Sequence, residues 1–103
     1  MIPYARQDIT EEDRLAVEKI LRSDWLTQGP AVPAFEAAVA SYCGVRDAVA
    51  TNSATGALHI ACLALGLGKG DWIWTSPNSF VASANCGLYC GANIDFVDIE
   101  MTS

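Results

Sequence analysis

Apolar and polar positions along the 103-residue chain repeat with one period in the first half and another in the second. Thr10-Glu11-Glu12-Asp13 sets an N-cap residue ahead of an acidic first turn. Val17, Ile20 and Leu21 follow at helical spacing, with Asp13, Arg14 and Glu18 on the other face, which predicts an amphipathic helix over 10–23. Trp25-Leu26-Thr27-Gln28-Gly29-Pro30 breaks that helix, because Gly and Pro punctuate. Phe35, Val39 and Tyr42 predict a second helix over 31–43, ending near Gly44. The rhythm then shortens. Residues 47–51 read as a strand, Asn52 to Gly56 as a polar turn, and Ala57 to Leu65 as a helix apolar nearly all round, hence buried. After a loop at 66–71 come a second strand, Trp72 to Thr75, a second polar turn at Ser76 to Ser79, and a helix over 79–90 with Phe80 at its opening. Gly91 stops that helix, and a third strand runs from Ile94 to Asp98. The order β-α-β-α-β predicts a parallel sheet with right-handed crossovers.

Composition changes what surrounds this sheet. Hydrophobic residues make up 51% of the chain and charged residues 17%, which excludes a disordered tail. A small stand-alone domain carries about 25% charged residues, so the apolar surplus predicts surfaces meant for another domain or subunit. Six basic against twelve acidic residues leave a net charge of −6, opposite to what nucleic acid or an anionic membrane attracts. Residues 48–68 and 72–94 contain no Asp, Glu, Lys or Arg and are long enough for a bilayer helix. Thr51, Asn52, Ser53, Thr55 and His59 interrupt the first, and Ser76, Pro77, Asn78, Ser79, Ser83 and Asn85 the second. They therefore read as interior βα units of a soluble protein. The N-terminus from Met1 has no basic region followed by an apolar core, so no signal peptide is expected. Cys43, Cys62, Cys86 and Cys90 lack C-x-x-C spacing and read as small buried hydrophobes in a reducing cytoplasm, with no metal site. A redox or metal protein built on Cys86 and Cys90 is the weakest alternative. A three-stranded parallel sheet with nothing after it leaves an edge open, so the chain is expected to be the first part of a larger α/β enzyme.

The two polar turns carry the candidate chemistry. In open parallel sheets, ligands bind beyond the carboxyl ends of the strands. Asn52 to Gly56 follows a strand and opens a helix, whose N–H groups and dipole suit a phosphate; ordinary capping by Ser or Thr explains the same residues. Neither a G-x-x-x-x-G-K loop nor a G-x-G-x-x-G fingerprint is present. Phe80 opens a helix at the same sheet edge, placed either to stack on a flat cofactor or to pack on the sheet. His59, the only histidine, lies in an apolar helix and reads as structural. Glu11, Glu12 and Asp13 read as a solvated first turn, and Asp95 and Asp98 as turn chemistry at a strand end. Neither of the two lysines, Lys19 and Lys69, stands in the apolar surroundings that a Schiff-base lysine needs.

Three segments in order, Ser23 to Pro30, Asn52 to His59 and Thr75 to Asn85, together with Phe96-Val97-Asp98-Ile99, resemble the N-terminal part of the DegT-type sugar aminotransferases. These are fold-type-I enzymes dependent on pyridoxal 5'-phosphate (PLP), and the resemblance covers essentially the whole chain. It implies an α/β fold: a three-layer α-β-α arrangement around a mostly parallel sheet, the N-terminal part of the PLP-dependent transferase large domain. Residues 1–44 would form a helical N-terminal arm and 45–103 the start of the βαβαβ sheet. It implies that Thr55 and Gly56, with Ser53 and Ala54, hold the PLP phosphate, and that Phe80 stacks on the pyridine ring. Thr27, Gln28 and Gly29 would border the sugar site. The blocks Trp25 to Pro30 and Asn85 to Gly91 resemble members of the pseudaminic acid pathway, which use glutamate to aminate C4 of a UDP-linked 4-keto-6-deoxy-N-acetylhexosamine. The resemblance also implies a cytoplasmic homodimer with sites at the subunit interface. The family's Schiff-base lysine and its pyridinium-pairing aspartate would lie beyond residue 103, so the chain by itself is expected to be inactive. The alternative is a non-catalytic remnant that acts as a small binding or dimerisation module.

Overall fold

The computed structural model describes residues 4–100; Met1 to Pro3, where the leader was sought, and Met101 to Ser103 lie outside the described residues. The chain divides into two compact units, Met1–Ala50 and Thr51–Ser103. The first carries α1 (Glu11–Leu21) and α2 (Ala31–Cys43). The second carries α3 (Ala54–Ala64), β1 (Trp72–Thr75), α4 (Ala82–Tyr89) and β2 (Asn93–Phe96).

α1 begins where the sequence places it. Thr10 is the N-cap, and a capping box closes with Asp13: the Asp13 N–H donates to Thr10 Oγ1 at 3.3 Å, and the Thr10 N–H donates to Asp13 Oδ2 at 2.8 Å. Arg14 pairs with Glu11 at 2.9 Å and Arg22 pairs with Glu18, all on exposed side chains that add little to stability. α1 buries none of its residues: Val17, Ile20 and Leu21 all remain exposed. α2 ends on Gly44 in the left-handed region, φ 66°. Its one buried residue is the small Ala40, while Phe35 and Tyr42, expected to mark the packed face, are exposed.

The strand expected at 47–51 is not formed among the described residues. A strand exists through its ladder partner, and here the Ala50 N–H is taken instead by the Glu36 carboxylate of α2, at 2.8 Å. The described sheet therefore has two strands rather than three.

In the second unit, β1 and β2 pair in parallel with Ile73 opposite Ile94 and Trp74 opposite Asp95. The connection is α4, which packs on both strands and on α3. Gly87 makes that packing possible. A Cβ at this position would stand 2.6 Å from both Ile73 Cγ2 and Ile94 Cδ1, so only glycine lets the helix sit this close to the sheet. The core around it is made of small side chains: Cys62, Ala82, Cys86 and Ala92. The outer face of the sheet carries Trp72 and Trp74, 61% and 69% exposed, so no described element covers it. α3 is not the fully buried helix its composition suggests. It touches α4 along one side, burying Cys62, and leaves Leu58, Ile60 and Leu63 exposed. It also starts three residues earlier than expected, at Ala54, and β2 starts at Asn93 and ends at Phe96. Phe80 does not open α4; the helix starts at Ala82. Of the cysteines, Cys62 and Cys86 are buried as expected, but Cys90 is half-buried and Cys43 is exposed at the end of α2. No described helix is long and apolar enough to cross a membrane.

Two outcomes follow. Gly87→Ala forces a methyl into Ile73 and Ile94 and costs about 1–3 kcal/mol, read as a lower denaturation midpoint at unchanged slope. The backbone N–H of Thr10, and then its hydroxyl, hold the Asp13 carboxyl below its ordinary value. The folded state favours the charged form, so the contribution is present above the ordinary value and is lost as pH falls through the lowered one. NMR titration should give Asp13 a lower midpoint than an unfolded-chain aspartate, with the Thr10 amide losing protection over the same range.

Candidate functional site

The polar turn before α3 is built by its own side chains. Ser53, in extended backbone at φ −164°, is the N-cap, and its Oγ accepts the Gly56 N–H at 3.1 Å. The same hydroxyl donates to Asn52 Oδ1 at 3.2 Å, and the Thr51 hydroxyl donates to the Ser53 carbonyl at 2.8 Å. The turn is tight: a Cβ on Gly56 would come within 3.3 Å of Asn52 Oδ1. The first N–H groups of a helix have no intrahelical acceptor. Ser53 satisfies that of Gly56, which leaves those of Ala54 and Thr55 as the donors pointing out of the helix end.

The second turn follows β1. α3 and α4 pack on one another, with the His59 ring edge-on to Tyr89 at 5.3 Å. β1 ends at Thr75, and the turn that follows it leads to α4. Ser76, Pro77, Ser79, Phe80, Val81 and Ser83 line a cavity of about 180 Å³ there, together with Thr75, Ala84 and Phe96. Phe80 is 74% exposed, so its ring is not committed to the core of this unit. Ser79 and Ser83 share a hydrogen bond at 3.0 Å beside it.

Thr27, Gln28 and Gly29 belong to the other unit. Gln28 holds φ 51°, the only non-glycine residue in the left-handed region among the described residues. Gly29 lies so close to Trp25 that a Cβ would meet the Trp25 Cβ at 2.6 Å. The loop is thus fixed locally, with the Trp25 N–H held by Ser23 Oγ at 3.2 Å. The depressions along α1, past Ile9, Val17 and Leu21, include none of the residues predicted for the site.

Other candidates take structural roles. Asp95 and Asp98 each accept the next residue's N–H, at 2.9 and 2.8 Å. His59 is the ring partner of Tyr89. Lys19 and Lys69 are exposed. Among the described residues no His, Cys, Asp or Glu group could hold a metal. The supporting residues Thr51 and Asn52 stood within a segment rich in Thr, Asn and Ser, the composition from which such side-chain-to-backbone bonds could have been anticipated.

The cavity beside Phe80 includes no residue of the turn from Asn52 to Gly56; a helix amino end with N–H donors left over is by itself a place that suits an anion. Residues 7–103 match the DegT/DnrJ/EryC1/StrS aminotransferase family, and the chain belongs to that family. It is 44% identical over 100 residues to the UDP-4-amino-4,6-dideoxy-N-acetyl-beta-L-altrosamine transaminase of Campylobacter jejuni, covering 97% of this chain and 26% of that one. It is 41% identical over 99 residues to the spore coat polysaccharide biosynthesis protein SpsC of Bacillus subtilis, covering 96% and 25%. A Streptococcus pneumoniae protein described as a sugar aminotransferase, solved in its PLP form, superposes with TM-score 0.91 at 33% identity, over 99% of this chain and 26% of that one. PseC of Helicobacter pylori, an aminotransferase of pseudaminic acid biosynthesis, superposes with TM-score 0.87 at 37% identity, over 95% and 27%. These likenesses show the α/β aminotransferase fold. The chain spans about a quarter of the length of the curated relatives it matches.

Ser53→Ala removes the N-cap and leaves the Gly56 N–H without its acceptor, so it should lower stability by about 1 kcal/mol, with Ser53→Asp restoring most of it, measured by denaturant unfolding.

Proposed function

We propose that this chain supplies the cofactor-phosphate and ring-stacking part of a PLP-dependent sugar-nucleotide aminotransferase, within its large domain. The observation that carries the reading is the pair of N–H donors left over at the α3 amino end, with Phe80 exposed in the same unit, in a chain of the aminotransferase family.

The residues fit a phosphate ester. The Ala54 and Thr55 N–H groups and the Thr55 hydroxyl donate to its oxygens, and the helix dipole favours its negative charge. Gly56 keeps the turn compact enough for the backbone to approach the ligand. Ser53 is a positioning residue, because its hydroxyl is engaged by Asn52 and by the Gly56 N–H. Phe80 offers a flat apolar face that fixes the plane of a stacked ring and excludes water from one side. Bound PLP supplies the electron sink for charge developing at the amine-bearing carbon. Gln28, with its fixed left-handed backbone, and its neighbours Thr27 and Gly29 border the sugar. The substrates are a UDP-linked 4-keto-6-deoxy-N-acetylhexosamine and glutamate, and the working form is a cytoplasmic homodimer. Lys19 and Lys69 are exposed and lack the apolar surroundings that activate a Schiff-base amine, so the 103 residues alone do not turn over.

The test is to reduce native cell extract with borohydride and weigh the polypeptide that carries this sequence. The expected product is about four times as long as this chain, as in its relatives, with a PLP adduct on lysine. In that protein Thr55→Val should weaken PLP retention by about tenfold, and Phe80→Ala should shift the cofactor absorbance. A polypeptide the size of this chain, without adduct and without PLP binding, overturns the reading in favour of a binding or dimerisation module.

A further inference from the structure

Phe80 is 74% exposed and stands outside α4, so little packing fixes the ring that the proposed function stacks on a cofactor. Its place has to come from the backbone that carries it. Val81, the N-cap of α4, makes no side-chain cap bond. Ser83, in the first turn of the helix, holds this segment instead, and it does so on both sides of the Phe80 peptide. Its N–H donates to the Phe80 carbonyl at 3.0 Å, and its hydroxyl shares a hydrogen bond with the Ser79 hydroxyl at 3.0 Å. The Ala84 N–H donates to the Val81 carbonyl at 3.1 Å. The chain thus enters α4 through two i→i+3 bonds, the tight geometry of a 3₁₀ turn. Ser83 is held in its turn. The Cys86 thiol donates to its carbonyl at 3.4 Å, and Cys86, 2% exposed, adjoins the Gly87 wedge against Ile73 and Ile94. Ser79, Phe80 and Ser83 also line one cavity.

We propose that Ser79 and Ser83 are positioning residues for Phe80, their hydroxyl pair bridging the turn around it and fixing the plane its ring offers to a cofactor. The inference rests on the reading of Phe80 as the stacking residue and adds what sets its orientation. With the pair intact, the residue before Phe80 and the carbonyl of Phe80 are both tied to one serine of a helix that the sheet holds in place. With either hydroxyl gone, the main-chain bond to the Phe80 carbonyl stays, but the Ser79 side of the turn is free to pivot. Ring stacking depends on the tilt and offset of the two planes, so a pivot that leaves the fold intact still weakens it. A hydrogen bond between exposed hydroxyls adds little to global stability, so its effect is read at the ring. Both serines act through Phe80.

The test uses the polypeptide that carries this sequence, loaded with PLP, and measures the PLP dissociation constant and the visible circular dichroism of the bound cofactor, which reports ring orientation. Ser79→Ala and Ser83→Ala should each weaken PLP binding about threefold and reduce the dichroic band, with the denaturation midpoint little changed. The double variant should match either single one, because both remove the same bond. Ser79→Thr, which keeps the hydroxyl, should restore wild-type values. In a Phe80→Ala background, Ser79→Ala should change nothing further. The proposal is overturned if both alanine variants keep wild-type binding and dichroism, if their effects add, if Ser79→Thr is as weak as Ser79→Ala, or if Ser79→Ala acts undiminished without the Phe80 ring. Phe80→Ala alone separates the two readings. An unchanged cofactor spectrum in that variant, or a polypeptide that holds no PLP, overturns the stacking role and this proposal with it. A shifted spectrum there, with unaltered serine variants, overturns this proposal alone.

Discussion

The approach of α4 to the sheet, with Gly87 wedged between Ile73 and Ile94, governs the second unit of this chain. No other residue type fits there without moving a helix or a strand, so the contact sets both the depth of α4 and the register in which its small side chains meet α3. Cys86 is the most buried side chain among the described residues because it sits one residue away from that contact. The turn at the other end of α4 follows as well. Once the helix lies close to the sheet, Phe80 and the serines before it must emerge at the carboxyl end of β1.

The same close packing leaves much apolar surface uncovered. The buried side chains are alanine and cysteine, too small to bring a large core with them. α1 keeps its apolar stripe exposed, and Trp72 and Trp74 stand on a sheet face that parallel sheets ordinarily cover. Apolar surfaces of this extent mark interfaces in soluble proteins. The surplus anticipated from composition is thus concentrated in particular places: one helix face, one sheet face and one exposed aromatic at the candidate site.

The candidate site separates into what was legible residue by residue and what was not. Ser53 and Gly56 stood out as a capping turn ahead of an apolar run, and their assignment to a phosphate came from the family resemblance. Phe80 stood out through its place after a strand and through the family resemblance. That Ser53 holds the turn together, leaving Thr55 as the hydroxyl donor, depended on Asn52 and Thr51 folding back onto it.

By itself the sequence determined the capped start of α1, the glycine end of α2, the polar turns and the strands near Trp72 and Ile94, along with membership of an aminotransferase family. Each rests on local chemistry: a cap three residues from its acceptor, a period of apolar positions, a residue that tolerates a left-handed backbone. Only the tertiary structure decided that residues 47–50 give the Ala50 N–H to Glu36 rather than to a strand, that α3 buries one side and not all of it, and that Cys43 faces solvent while Cys62 does not. Those outcomes depend on which groups meet across the fold. A hydrogen-bond donor or an apolar face takes whichever partner long-range packing brings to it, and local pattern does not encode that choice.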